Sequence, residues 1–415
     1  GSISTPEVSV QVGVRAQFAL CFSYSELFCR RGITAREGHM AHALVKYFAE
    51  RRESFSDAQL TEVDSLVLST LAYLYFESGV LGHTDPAQHV PLPAALRGVR
   101  RRELFGANWP LYSLMGADTL LTALLESPRF MELEVGGYVS ELSSRPAKQF
   151  SAITFFLPEG SAYVAYRGTD NSLAGGKEDL NLMFEEGVPS QVRARAYLED
   201  VARKGDSRLY VGGHSKGGHL AEYAALTCDD QTYGRIGRVF NHDGPGFAFA
   251  PSARIESDEY AAKLSKTVPG SSVVGMLMED RSLVRVVRSS GFLFDQHAPM
   301  HWVVKDGGFV ELDAISPEAS VVVATLNGWA ASSGVDRRRL FVNTVFDVLG
   351  AAGAETWNEL GRNCPASVGA IVSALRQLPS DMRDVVFGTL RDIASLVGAE
   401  TVRHVRRALP VPHAH

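Results

Sequence analysis

The chain has 415 residues, 21% of them charged and 45% hydrophobic, with a formal net charge of −6 at pH 7. Its basic residues are dispersed, which excludes the clustered positive stripe that a nucleic-acid surface needs. No apolar run reaches the length of about 18 residues that a transmembrane helix requires, and the length favours one enlarged domain with additions.

The first thirty or so residues show no clear period and read as an arm or short strand. A helix is predicted over 36–50, where Met40, Ala43, Leu44, Tyr47 and Phe48 share one face. The stretch 63–76 is apolar all round and reads as a buried helix, with Val63, Leu66, Val67, Leu71 and Leu74 in the core, and 111–125 reads as a third helix. From Met131 the period changes to two, Met131, Leu133 and Val135 alternating with Glu132 and Glu134, so the sheet is predicted to begin there. Strands over 149–157 and 163–166 flank Pro158-Glu159-Gly160, whose turn chemistry marks a hairpin.

The loop 171–191 combines Gly175-Gly176, the charge run Lys177-Glu178-Asp179 and apolar Leu180, Leu182, Met183 and Phe184. A movable cover over a site and a solvated amphipathic helix are equal readings of it. A helix over 192–203, a strand over 209–211, a helix over 218–226 and strands over 236–241, 272–277, 283–287 and 301–304 follow. After Glu311 the pattern returns to helix. Phe341, Val342, Val345, Phe346 and Leu349 form one face; Met382, Val386, Leu390, Ile393 and Val397 form another, with Pro379 and Ser380 placed to start it. The elements predict an α/β protein with a central, mostly parallel sheet flanked by helices: an N-terminal arm and helices over 1–130, a catalytic core over 131–312 and a C-terminal helical region over 313–415.

The stretch 211–218 reads Val-Gly-Gly-His-Ser-Lys-Gly-Gly, and within it Gly213-x-Ser215-x-Gly217 stands between an apolar strand and a helix. That is the context of a nucleophile elbow in an α/β-hydrolase fold, where small flanking residues let strand and helix approach and push the serine hydroxyl out. A serine hydroxyl needs a general base, normally a histidine held by a carboxylate, in the chain order Ser, acid, His.

His219 lies one helical turn from Ser215 and reads as a solvated or capping residue, while His413 and His415 belong to the terminus. His242 comes too early, and His301, just before Trp302, reads as a packed or edge residue. His297, in the loop Phe294-Asp295-Gln296-His297-Ala298-Pro299, is the expected base. The expected acid is Asp243, at the end of the strand that follows the nucleophile helix; its other reading is an Asx-type turn residue, with Glu279 and Asp280 as alternative acids.

Oxyanion donors are expected from the backbone N–H of Lys216 and from the loop Arg167-Gly168-Thr169-Asp170, where Thr169 offers an N–H and a hydroxyl and Asp170 adjoins them. Lys216 as the base of a Ser–Lys pair is disfavoured, because its adjacency to Ser215 directs the side chain elsewhere. The chemistry calls for no metal and no cofactor. Cys21, Cys29, Cys228 and Cys364 fit neither metal spacing nor a disulfide framework and read as reduced, buried thiols. A cytoplasmic location is favoured, but Gly1-Ser2 reads as a cloning remnant upstream of which a targeting segment could have been removed, so secretion stays open.

Several motifs taken together resemble the bacterial Mbeg-type family of uncharacterised α/β-hydrolases, related to the class 3 lipases. They are Arg36-Glu37-Gly38-His39-Met40, Val63-Asp64-Ser65-Leu66, Gln149-Phe150-Ser151-Ala152-Ile153-Thr154, Arg167-Gly168-Thr169-Asp170, Gly213 to Gly218, Asp243-Gly244-Pro245-Gly246-Phe247 and Gln296-His297. Class 3 lipases carry their acid in an Asp-x-Val-Pro segment, matched here by Ser272-Val273-Val274-Gly275, which has no carboxylate. Pancreatic-type lipases carry theirs directly after the nucleophile helix, similar to Asp243 here. Gly176 stands where the family usually has Trp. The resemblance implies a lipase-like serine hydrolase of unassigned substrate, acting on an ester or lipid-like acyl compound. The competing expectations are a non-catalytic binding scaffold and a hydrolase of amide, thioester or lactone bonds.

Overall fold

Hairpin turns and crossover helices divide the strands of this chain into two kinds of pairing. The structure, a computed structural model, describes residues 42–76, 88–106, 117–279, 283–291, 293–362, 364–389 and 391–392. Its strands are β1 (His89–Pro91), β2 (Glu134–Ser144), β3 (Ala147–Phe156), β4 (Ala162–Tyr166), β5 (Leu209–His214), β6 (Ile236–His242), β7 (Leu264–Pro269), β8 (Val284–Val287), β9 (Val304–Lys305), β10 (Gly308–Phe309) and β11 (Glu311–Leu312). A 9-stranded sheet runs in the order β1-β2-β3-β4-β5-β6-β7-β8-β11, and β9 and β10 form a separate ribbon.

From β4 to β8 every pairing is parallel, whereas β1 to β4, and β8 with β11, pair antiparallel. The sheet is therefore mixed rather than mostly parallel. The connections from β2 to β3 and from β3 to β4 are too short for a crossover, so those strands must run antiparallel.

The longer helices are α1 (His42–Glu50), α2 (Glu62–Leu71), α3 (Ala117–Leu125), α4 (Leu173–Asn181), α5 (Pro189–Lys204), α6 (Lys216–Thr227), α7 (Pro317–Ser332), α8 (Val335–Gly350) and α9 (Cys364–Gln377). One face of the sheet buries Val164, Tyr166, Val211 and Val239 against Ala194, Tyr197 and Leu198 of α5 and Leu220, Ala221 and Ala224 of α6. The other face packs Val135, Ile153, Phe155, Tyr163 and Phe240 against Leu44, Tyr47 and Phe48 of α1, Val63 and Val67 of α2 and Leu120, Leu121 and Leu124 of α3. With both faces covered, the central strand β4 is buried at every position, which is why it reads as a continuous apolar run. The fully buried Asp64 of α2 receives hydrogen bonds at 3.1 and 2.7 Å from the equally buried Arg129, tying the N-terminal helices to the segment that leads into β2.

Several expectations shift. The sheet's β2 starts at Glu134, because Pro128–Met131 forms a helical turn with Pro at its start. The stretch predicted as a strand over 272–277 is a turn with a 3-10 helix at Val274–Met276, and the strand lies earlier, at β7. Buried Ser265, Lys266 and Thr267 interrupt the apolar pattern of β7, and each is matched by a partner only in the folded state: Glu62, Glu279 and His242. His301 ends a 3-10 turn, Pro299–His301, rather than opening a strand. The loop 171–191 contains α4, whose Glu178 is fully buried, so it is not a solvated helix. The predicted helix starts at 36–41 and 111–116, and Leu390, Ile393 and Val397 of the last predicted face, lie outside the described residues. Among the described residues, no helix is long and apolar enough to cross a membrane.

Candidate active site

Strand β5 ends at His214 and helix α6 begins at Lys216, leaving Ser215 alone to make the turn, with φ 57° and ψ −135°. A non-glycine residue there carries strain of about 1–3 kcal/mol, so the surroundings must hold it. Ser215 N–H donates to the carbonyl of His242 on β6 at 2.9 Å. The glycines permit the closeness: a Cβ on Gly217 would lie 2.1 Å from the Tyr166 carbonyl oxygen, and one on Gly213 would lie 2.2 Å from the Gly217 backbone.

Asp243 follows the end of β6, next to β5 in the sheet, with φ 56°. Its N–H donates to Thr267 O at 2.8 Å, its Oδ1 accepts from Gly275 N–H at 3.1 Å and from the Ser272 hydroxyl, and its Oδ2 accepts from His297 Nδ1 at 2.6 Å. Asn241 braces the turn, accepting from Gly244 N–H at 2.7 Å and donating to Glu222. With Nδ1 donating to the carboxylate, His297 Nε2 is left as the acceptor nitrogen. The Asp243 side chain is 1% exposed and that of His297 30%, so a buried carboxylate orients an imidazole that solvent and ligand can reach.

The His297 ring packs against His214, the residue before Ser215, with ring centroids 4.5 Å apart, and His214 Nε2 lies 2.7 Å from the His297 carbonyl oxygen. Ser215, His297 and Asp243 are thus brought to one corner of the sheet. No hydrogen bond joins Ser215 Oγ to His297 among the described residues; in ligand-free sites such contacts are often long and tighten on binding.

The loop 167–170 presses on the same corner, since a Cβ on Gly168 would fall 2.6 Å from the His214 carbonyl oxygen. The Thr169 hydroxyl is already committed, donating to Asp179 Oδ2 at 2.5 Å, which leaves the backbone N–H as this residue's donor. Asp170 does not face outward: its Oδ1 accepts from Ser172 N–H at 2.9 Å and its Oδ2 lies 3.8 Å from Arg167, so its carboxylate shapes the loop. Lys216 sends its side chain inward, where Nζ lies 2.9 Å from Gln149 O, 3.2 Å from Glu178 and 3.5 Å from Asp179. A Ser–Lys pair is incompatible with that burial, while the Lys216 N–H stands in the first turn of α6, where helix N–H groups lack intrahelical partners. Glu178 also accepts from the N–H groups of Gln149 and Ser190, so one carboxylate links α4, α5, α6 and β3.

The other histidines weighed as the base, His219, His242 and His301, are held in packed positions. His219 is buried rather than solvated: its Nδ1 donates to Pro245 O at 3.1 Å and its Nε2 lies 2.7 Å from Gln191 Nε2, while burial pushes its pKa down to about 4. His242 is held between Ser65 Oγ at 2.9 Å and Thr267 Oγ1 at 2.8 Å, with burial pushing its pKa down to about 3. His301 is buried at its turn, and burial lowers its pKa. Glu279 is committed to buried Lys266 at 2.5 Å, which removes it as an alternative acid; Asp280 lies outside the described residues. Cys228 is a buried free thiol that burial pushes up to about 12, and Cys21 and Cys29 lie outside the described residues.

Sequence reasoning missed Ser272 as a partner of Asp243, noting it only as a missing carboxylate, and missed His214 and Tyr73 altogether. Tyr73 OH lies 3.1 Å from His214 Nδ1. Nothing in the spacing of residues 141 apart could have paired them.

A strained serine and a carboxylate at the carboxyl ends of the neighbouring parallel strands β5 and β6, with an imidazole from the 3-10 turn Leu293–His297 held on that carboxylate, define an α/β protein with a candidate Ser–His–Asp site. The chain belongs to the Mbeg1-like family, whose profile matches residues 124–347. The motifs at 36–40 and 63–66 fall outside that match. No curated protein and no solved structure matches the chain.

Proposed function

We propose that the protein is a serine hydrolase of the α/β-hydrolase type that cleaves a carboxylic ester or lipid-like acyl substrate. One observation carries the reading: Ser215 sits at φ 57° between β5 and α6 while His297 Nδ1 holds Asp243 at 2.6 Å beside it, which matches the geometry of a nucleophile elbow with its base and acid. Membership of the Mbeg1-like family covers all three residues and assigns them no activity.

In the proposed reaction Ser215 Oγ attacks the substrate carbonyl as His297 Nε2 takes its proton. The resulting imidazolium is stabilised by buried Asp243, and the backbone N–H groups of Lys216 and Thr169 hold the oxyanion. His297 then returns the proton to the leaving alcohol as the carbon–oxygen bond breaks, leaving an acyl group on Ser215. Water, deprotonated by the same imidazole, releases the acid. The similarity to lipases in the motifs around Ser215 and Asp243 favours esters over amides.

The test is covalent labelling with a fluorophosphonate followed by hydrolysis of p-nitrophenyl esters of graded chain length. Wild-type protein should label and turn over, and Ser215→Ala should do neither. Folded wild-type protein that neither labels nor hydrolyses any ester would sink the proposal and favour a binding scaffold.

A further inference from the structure

His214 occupies the variable position of Gly213-x-Ser215-x-Gly217, and its ring nitrogens are both engaged. The His297 carbonyl can only accept, so His214 Nε2, 2.7 Å away, must donate. In a neutral imidazole the other nitrogen then accepts, and among the described residues the Tyr73 hydroxyl stands at it, 3.1 Å away. The same hydroxyl lies 3.4 Å from the His214 carbonyl oxygen and would sit 2.0 Å from a Cβ placed on Gly168. Tyr73 therefore touches both the segment that carries Ser215 and the loop that carries Thr169. It follows α2, upstream of the family match.

We infer that His214 and Tyr73 are positioning residues for the hydrolysis assigned to Ser215 and His297. The Tyr73 O–H selects the Nε2–H tautomer of His214, which clamps the backbone of the base while the His214 ring backs the His297 ring. This rests on the proposed function. Burial, followed by the neighbouring His297, holds His214 well below the ordinary histidine range and keeps it neutral. A neutral ring is required at this place, because His297 becomes a cation 4.5 Å away when it takes the serine proton. Without the Tyr73 donor, the Nε2–H tautomer of His214 keeps only the His297 carbonyl to favour it, and the clamp on that carbonyl is weakened.

The test uses the full-length protein and three substitutions, reading fluorophosphonate labelling rate against pH together with kcat and KM on p-nitrophenyl butyrate. His214→Phe keeps an aromatic ring but no donor and should lower kcat by about 10- to 100-fold, the scale that a misplacement near 1 Å produces, with KM within a few-fold and a displaced pH midpoint of labelling. His214→Gln retains an N–H donor and should recover most of that loss. Tyr73→Phe removes one hydroxyl and should lower kcat in the same sense with KM unchanged. It serves where His214→Phe fails to fold. Wild-type labelling rates and pH midpoints in folded His214→Phe or Tyr73→Phe would overturn the inference while leaving the hydrolase reading intact. A wild-type protein that does not label would overturn both.

Discussion

Replacing Asp243 with Asn is the sharpest probe of the site, because the structure dictates which way the amide must face. Oδ1 receives two hydrogens, from the Ser272 hydroxyl and from Gly275 N–H at 3.1 Å, so the amide oxygen of Asn is required there. The flipped orientation would set an NH2 group against the Gly275 N–H, leaving buried donors unsatisfied at a cost of about 1–3 kcal/mol. The NH2 therefore turns toward His297 Nδ1, which must accept and must carry its proton on Nε2, the nitrogen required to receive the Ser215 proton. With the wrong tautomer in place and the charge opposite the imidazolium gone, kcat should fall by about 10⁴, or about 5 kcal/mol of barrier, with KM within a few-fold. The assay is p-nitrophenyl ester kinetics beside fluorophosphonate labelling, with circular dichroism to verify folding. An Asn variant within about ten-fold of wild-type kcat would refute the assignment of Asp243 and the orientation argument together.

Three further outcomes follow from the same geometry. Gly217→Ala should leave no soluble folded protein, because the new Cβ would stand 2.1 Å from the Tyr166 carbonyl oxygen, and recovery of a stable variant would show that the turn has slack. Lys216→Met strands buried Glu178 and should lower stability by about 3–5 kcal/mol, read as a fall in the urea midpoint, and a variant with the wild-type midpoint would contradict that role of the pair. His242 and His219 are pushed to about 3 and about 4 in the folded chain, so the unfolded chain binds more protons below the ordinary histidine pKa of about 6.5. Their contribution is full above that pH and declines as the pH falls toward 4, by about 3 kcal/mol for each. Denaturation curves at stepped pH should show this slope, and a His242→Asn variant with an unchanged slope would contradict it.

The segment from β5 to α6 was legible in the sequence because it is governed locally: a glycine-flanked serine between an apolar strand and a helix admits one kind of turn. The strands of the hairpin region and β6 were equally legible, since alternating or continuous apolar runs are local signals. β7 was not, because Ser265, Lys266 and Thr267 carry polarity that only partners elsewhere in the chain can satisfy. The mixed character of the sheet depended on how short connections limit strand direction, which a mostly parallel reading overlooked.

The candidate site divides along the same line. Residue identity and chain order were enough to nominate Ser215 and His297 as nucleophile and base and Asp243, with Glu279 and Asp280 as alternatives, as acid, because the proposed acyl chemistry calls for those groups in a restricted order. What each side chain touches was decided by tertiary structure alone. The second oxygen of Asp243 is held by Ser272, at the position that looked like a missing acid, and the hydroxyl expected of Thr169 is spent on Asp179. The candidate base packs on His214, whose ring nitrogens face the Tyr73 hydroxyl and the His297 carbonyl. A hydrogen bond is set by direction and distance between atoms that packing brings together, and neither quantity is written in the spacing of residues along a chain.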